Sequence, residues 1–196
     1  MSPRARIPLA LLGVLATALV AGSCSDPVHD QAVDRLGPEV SGVPEGEYHR
    51  AGQPCVVCHE PAGPAKQEFS VAGTIFYGPN RAIGADQVQV LMIDSLGSKM
   101  TATTNCVGNF FVTPDVWNPS FPILVNIKQG DTTARMNSQI SRDGSCATCH
   151  KDPPNFDSPG HVRLRATDDN VKIPQDCPVN PELYTPGDST TQGSRK

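Results

Sequence analysis

Aromatic side chains are scarce in this chain. One Trp, three Tyr and six Phe make up 5% of its 196 residues, and hydrophobic residues of every kind reach 38%. At that density a core can be built from part of the chain only. Long hydrophobic runs are also missing. The one sustained apolar stretch, Ile7 to Val20, is too short to span a bilayer comfortably. Positive charge is in deficit, with 16 Lys and Arg against 20 Asp and Glu and a formal net charge of −4. That balance argues against nucleic acid or an anionic membrane surface as a partner. Histidine is rare as well, five residues in all, which leaves few imidazoles for any chemistry that needs them.

Present in their place are 17 Gly, 19 Pro and seven Cys. The Gly and Pro content points to loops and short strands rather than long helices. Four of the cysteines fall in two short stretches, Cys55-Val56-Val57-Cys58-His59 and Cys146-Ala147-Thr148-Cys149-His150. Each reads Cys-x-x-Cys-His, the attachment signature of a c-type haem. Two intervening residues let both sulfurs reach one edge of the macrocycle, and the next residue places an imidazole beneath the iron. Cys55, Cys58, Cys146 and Cys149 are therefore expected to hold two haem c groups, with His59 and His150 as proximal iron ligands. Two other chemistries use the same residues. A four-thiolate zinc site is open to the four cysteines, but it leaves the following His unexplained in both copies. A redox-active dithiol needs a helix N-terminus to lower its thiol pKa. Here Glu60-Pro61-Ala62-Gly63-Pro64 and Lys151-Asp152-Pro153-Pro154 follow the motifs, and both are poor helix material.

The N-terminus reads as an address. Arg4 and Arg6 precede the apolar run, and Ala21-Gly22-Ser23-Cys24 follows it. Residues 1–23 are expected to be a signal peptide. Ala21 to Cys24 resembles a bacterial lipobox, which would make Cys24 the lipid attachment point; ordinary cleavage, with Cys24 as a structural cysteine, is the other reading. Cleavage there removes two positive charges and takes −4 to −6. The expected location is the bacterial cell envelope, lipid-anchored and facing the periplasm, with Ser25 favouring the outer membrane. Giving one cysteine to the lipid and four to the haems leaves Cys106 and Cys177. An oxidising compartment permits them to pair, or they stand as two separate buried thiols.

Along the chain, residues 24–53 are polar and without period, and are read as lipid anchor and flexible tether. Residues 54–68 form the first haem-attachment segment. From 69 to 137 the pattern turns to short alternating stretches. Phe69 to Tyr77 comes first, and Gln87 to Asp94 next, with Val88, Val90 and Met92 on one face. Lys99 to Asn105 and Asn109 to Thr113 follow, then Phe121, Ile123, Val125 and Ile127, then Thr132 to Asn137. The fold class expected is mainly β: an antiparallel immunoglobulin- or transthyretin-like sandwich of about six strands, with loop-rich haem-attachment segments at one pole. An even strand count should bring the two ends of the sandwich, and so the two motifs, together. Residues 138–173 form the second haem-attachment segment, where Val162 and Leu164 could make a short strand, and 174–196 a loose tail.

Within this block, Val71-Ala-Gly73-Thr-Ile75, Val88-Gln-Val90, Asp94-Ser-Leu-Gly97 and Gly108-Asn-Phe110 resemble the carboxypeptidase-regulatory-like (transthyretin-like) β-sandwich. The whole arrangement resembles dihaem c-type cytochrome lipoproteins of Gram-negative bacteria built around such a sandwich. The resemblance implies no catalytic residues.

A six-coordinate iron needs a second axial group. The candidates are His49 and His161, then Met136 and Met100; a Met would raise the potential. His29 remains. Phe110, Phe111, Trp117 and Phe156 could shield haem faces, with Phe110 and Phe111 better suited to the core and Trp117 to a haem. The function expected is electron transfer between redox partner proteins. A haem-bearing binding or scaffold subunit of a larger respiratory complex is the second hypothesis. A dihaem peroxidase or reductase is the third, and it would need one open iron beside acid/base groups.

Overall fold

The computed structural model describes residues 26–79, 83–171 and 173–180. Cys24, the apolar leader and the tail beyond residue 180 lie outside the described residues. No described helix is long and apolar enough to cross a membrane.

The chain divides into two units, the first ending at Arg35 and the second beginning at Leu36. The first contains helix α1, Pro27–Asp34, started by Pro27 and by Asp26, whose side chain accepts from the Val28 and His29 amides at 3.0 and 3.1 Å. The second contains the remaining described elements. Helix α2, Cys55–His59, and helix α3, Cys146–Cys149, are single turns that coincide with the two motifs. Prolines follow both within a few residues and prevent either from growing.

Six strands are found among the described residues: β1 Val71–Thr74, β2 Gln89–Ile93, β3 Lys99–Thr103, β4 Asn109–Val112, β5 Leu124–Gln129 and β6 Thr132–Arg135. All pairings between them are antiparallel. β1 pairs with β4, and the other four form a sheet in the order β3-β2-β5-β6. The result is a small β-sandwich, as the alternating pattern predicts. Period-two alternation turns Val88, Val90 and Met92 inward, all buried, against Val71, Phe110 and Val112 of the two-stranded sheet. Each fully buried Val or Ile of this core contributes about 1.5–3 kcal/mol by leaving water.

Strand parity alone does not return the chain to its starting point. β6 lies at the edge of the four-stranded sheet, and residues 136–145 carry the chain back. Ile140 pairs with Ile123 in an isolated bridge, and Ser145 then pairs in parallel with Ala72 of β1. The Ala72 amide donates to the Gly144 carbonyl at 2.9 Å. Farther along the same line, the Phe76 amide donates to the Val162 carbonyl and the Phe76 carbonyl accepts from the Leu164 amide, so the short strand expected at Val162 and Leu164 forms as a bridge to the chain just after β1.

The stretch read as a tether differs from its expectation. From Leu36 onward it belongs to the second unit. Val43 is buried with Val107 and Val179 in a satellite core around a disulfide between Cys106 and Cys177. The composition is polar, but a few apolar side chains and one covalent bond are enough to hold it.

Candidate functional site

Both motif helices pack on β1. Ser145, the residue before α3, pairs with Ala72. Gly52, just ahead of α2, donates its amide to Thr74 Oγ1 at 2.7 Å. The two attachment segments are thus fixed two residues apart along one strand, about 7 Å. Gly73 lies between these points. A Cβ on Gly73 would stand 2.6 Å from Cys146 Sγ, so the close approach of α3 requires glycine.

The two motif histidines are held in the same way. His59 Nδ1 lies 2.7 Å from the Gln67 carbonyl oxygen, and His150 Nδ1 lies 2.9 Å from that of Gly160. A carbonyl only accepts, so in each ring Nδ1 carries a proton, and in the neutral form of the ring Nε2 keeps its lone pair. Metal-binding imidazoles are oriented in just this fashion, by donating the far N–H to a carbonyl or carboxylate. Burial, with His49 close by, holds the His59 ring below the ordinary histidine pKa and keeps it neutral.

The loop behind His150 is organised by the buried Ser158. Its hydroxyl lies within hydrogen-bond distance of the Cys149 and Lys151 carbonyls, and it accepts from the Lys151 and Gly160 amides. On the other side, His59 stacks face to face on Phe69, with centroids 3.9 Å apart, and Phe69 stacks on Phe111 at 4.8 Å. Among the aromatic residues Phe110 takes the core place expected of it, whereas Trp117 and Phe111 do not take theirs. Trp117 is buried in the main core and donates Nε1–H to Ser98 Oγ. Phe110 takes the inward position of β4, so Phe111 must face outward, toward the first motif. Phe156 is fully exposed.

The thiols are not set up as a reactive pair. Burial pushes Cys55 up to about 11, and burial together with the nearby Cys55 pushes Cys146 up to about 12; Cys58 is also raised by burial. A redox dithiol needs the opposite shift. Among the described residues, no group of three or more His, Cys, Asp and Glu side chains could hold a metal ion, so the four thiols do not assemble a zinc site. A porphyrin iron asks less of the protein, one or two axial groups. Paired sulfurs with an oriented imidazole beside each pair fit that demand.

The proposed second ligands fare differently. His49 lies beside the first motif, its ring centroid 5.9 Å from that of His59. Its backbone is pinned by the buried Asn109 of β4, which donates to the His49 carbonyl at 2.9 Å and accepts from Thr74 Oγ1 at 2.7 Å. His161 is engaged at both nitrogens, Nδ1 with Asp152 Oδ2 at 2.7 Å and Nε2 with the Gly78 carbonyl at 2.8 Å. As folded, it has no nitrogen left for a metal, although its position in sequence made it a candidate. Met100 sits opposite Met92 in β3, and Met136 continues past β6 with its amide on the Val125 carbonyl. Both belong to the four-stranded sheet, whereas the motifs pack on β1. Sequence reasoning did not single out Asn109, Thr74, Ser158 or Phe69 as site residues. An Asn at the inward start of a Gly-Asn-Phe strand was the one readable signal among them. No family model, curated protein or solved structure matches this chain.

Proposed function

We propose that this chain is an electron-transfer protein carrying two covalently attached c-type haems. The observation that carries the reading is the shared orientation of His59 and His150. Both donate Nδ1–H to a backbone carbonyl and keep Nε2 for an iron. Cys55 and Cys58, and Cys146 and Cys149, would hold the two porphyrins through thioether bonds. Bound haem supplies a one-electron ferric–ferrous couple. The protein's part is to hold each imidazole in one tautomer and to set the two groups side by side on β1. That closeness supports exchange between them, because tunnelling falls steeply with distance. Acid–base machinery for a substrate is not needed for this role.

The proposed setting is the bacterial cell envelope, facing the periplasm, with Cys24 as the lipid-bearing residue. The disulfide between Cys106 and Cys177 supports an oxidising compartment. The net charge of −4 fits redox proteins, rather than nucleic acid, as partners.

Intact-mass measurement of the mature protein tests this directly. The expected mass exceeds that of the processed polypeptide by two haem groups, and the haem stays attached after denaturation. A mass accounted for by polypeptide and lipid alone overturns the reading.

A further inference from the structure

We propose that His49 is the second axial ligand of the iron bound by His59, and that Glu39, clamped by Arg50, is the positioning residue behind it. This rests on the haem reading above and goes beyond it. It assigns a complete axial pair to one iron and a tuning carboxylate to that pair.

Glu39 is fixed first. Its Oε1 accepts from Arg50 Nε at 2.7 Å. The rest of the guanidinium is spread over the Leu36 and Gly37 carbonyls and Gln53 Oε1, at 3.3, 2.8 and 2.8 Å. Arg50 holds a backbone φ of 50°, in the left-handed region that non-glycine residues seldom occupy. The chain therefore kinks just after His49, and the kink aims the guanidinium back toward Glu39. Strain of this kind persists where the surroundings over-determine it, as four hydrogen bonds do here.

His49 faces this carboxylate without bonding to it. Its Nδ1 lies 3.7 Å from Glu39 Oε1, beyond hydrogen-bond range. That Nδ1 and Glu39 Oε2 are both enclosed and have no hydrogen-bond partner. A polar atom left enclosed and unsatisfied carries a cost. A small rotation of the ring would remove that cost for His49 by closing the 3.7 Å gap to Glu39, giving Nδ1–H···Glu39 and leaving Nε2 for the iron. The separation of the two rings agrees with a shared metal. Two imidazoles on one ion, each about 2 Å from it, stand with centroids about 6 Å apart, against the observed 5.9 Å. The carboxylate–histidine–metal arrangement that results fixes the tautomer and makes the ligand more basic. A more basic ligand favours the ferric state and lowers the potential. Arg50, by holding the same carboxylate, moderates this effect. His161 offers the second iron no such arrangement, because both its nitrogens are taken.

The test uses the haem-loaded full chain, with electron paramagnetic resonance of the oxidised protein, carbon monoxide binding to the reduced protein, and a redox titration. His49→Ala is expected to convert the low-spin ferric signal of the first iron to high spin and to open that iron to carbon monoxide. His49→Met keeps an iron ligand of similar bulk, and is expected to stay low-spin with one potential raised. Glu39→Gln is expected to leave the first iron low-spin and to raise the same potential. In the His49→Met background that Glu39→Gln shift should fall by more than half, because it acts through the imidazole. A shift of equal size in both backgrounds marks a through-space charge effect and overturns the role of Glu39. Two haems with spectra unchanged by His49→Ala overturn the ligand assignment and leave the haem reading standing. Absence of haem from the wild-type protein overturns the haem reading itself.

Discussion

At Gly73 a single methyl group decides whether the second attachment segment can seat. The added carbon of Gly73→Ala would fall 2.6 Å from Cys146 Sγ and 2.7 Å from Cys146 Cβ, closer than those atoms can approach. The variant is expected to lose about 1–3 kcal/mol, the usual cost of overpacking. It should also shift the intact mass toward species carrying one haem, at Cys55 and Cys58. A variant that matures with two haems at the wild-type level would show that α3 does not need its place on β1. The reason for this glycine was invisible in the sequence, because Cys146 meets it only through the fold. Phe110 and Phe111 make the same point. Their opposite facing follows from strand geometry, but which of the two looks inward depends on the sheet across the core. The tandem Cys-x-x-Cys-His residues, by contrast, were legible at once, because their chemistry is local. His49 was legible as a neighbour of the first motif. Glu39 and Arg50 were not, since their meaning lies in a kink and in the Leu36 and Gly37 carbonyls and the Gln53 side-chain amide that gather around the guanidinium.

Among the elements, the turn from β2 to β3 shows how far a local pattern reaches. Asp94-Ser-Leu-Gly97 was readable as a turn. In the structure, Asp94 Oδ1 accepts from the Leu96 and Ser98 amides at 3.0 and 2.8 Å, and Oδ2 accepts from the Ser120 amide at 3.0 Å. The last bond ties this turn to the loop between β4 and β5, a link no periodicity reveals. The Ser120 amide, with those of Ser98 and Leu96, holds the Asp94 carboxyl below its ordinary pKa. A carboxyl depressed in the folded state adds stability that is present above its unfolded pKa, about 3.9. That stability is lost as pH falls through the folded value. Asp94→Asn should therefore melt below wild type at neutral pH, and the gap should narrow as pH is taken below about 4. Melting temperature against pH checks this, and a gap independent of pH would assign the effect to geometry alone.

For the whole molecule, the Cys106–Cys177 disulfide matters beyond the strands. It closes a loop with a sequence separation of 71, which in the chain-entropy picture stabilises the fold by about 4 kcal/mol. Its cysteines pack against the cluster of Val43, Val107 and Val179, as do Tyr48 and Ala51, from the same stretch that carries His49 and Arg50. Replacing both cysteines by Ser should lower the melting temperature. It should also broaden the spectroscopic signal of the first iron more than that of the second. Equal broadening of both would separate the satellite core from the His49 segment.

Because both Cys-x-x-Cys-His turns rest on β1, the chain between them can change in length without changing how far apart they stand. The β5–β6 turn at Gly130 and Asp131 is open to insertion, since lengthening a flexible loop twofold costs only about 0.6 kcal/mol. Over evolutionary time such a molecule can acquire new surface segments, and with them new acquaintances, while the two motif turns keep their spacing.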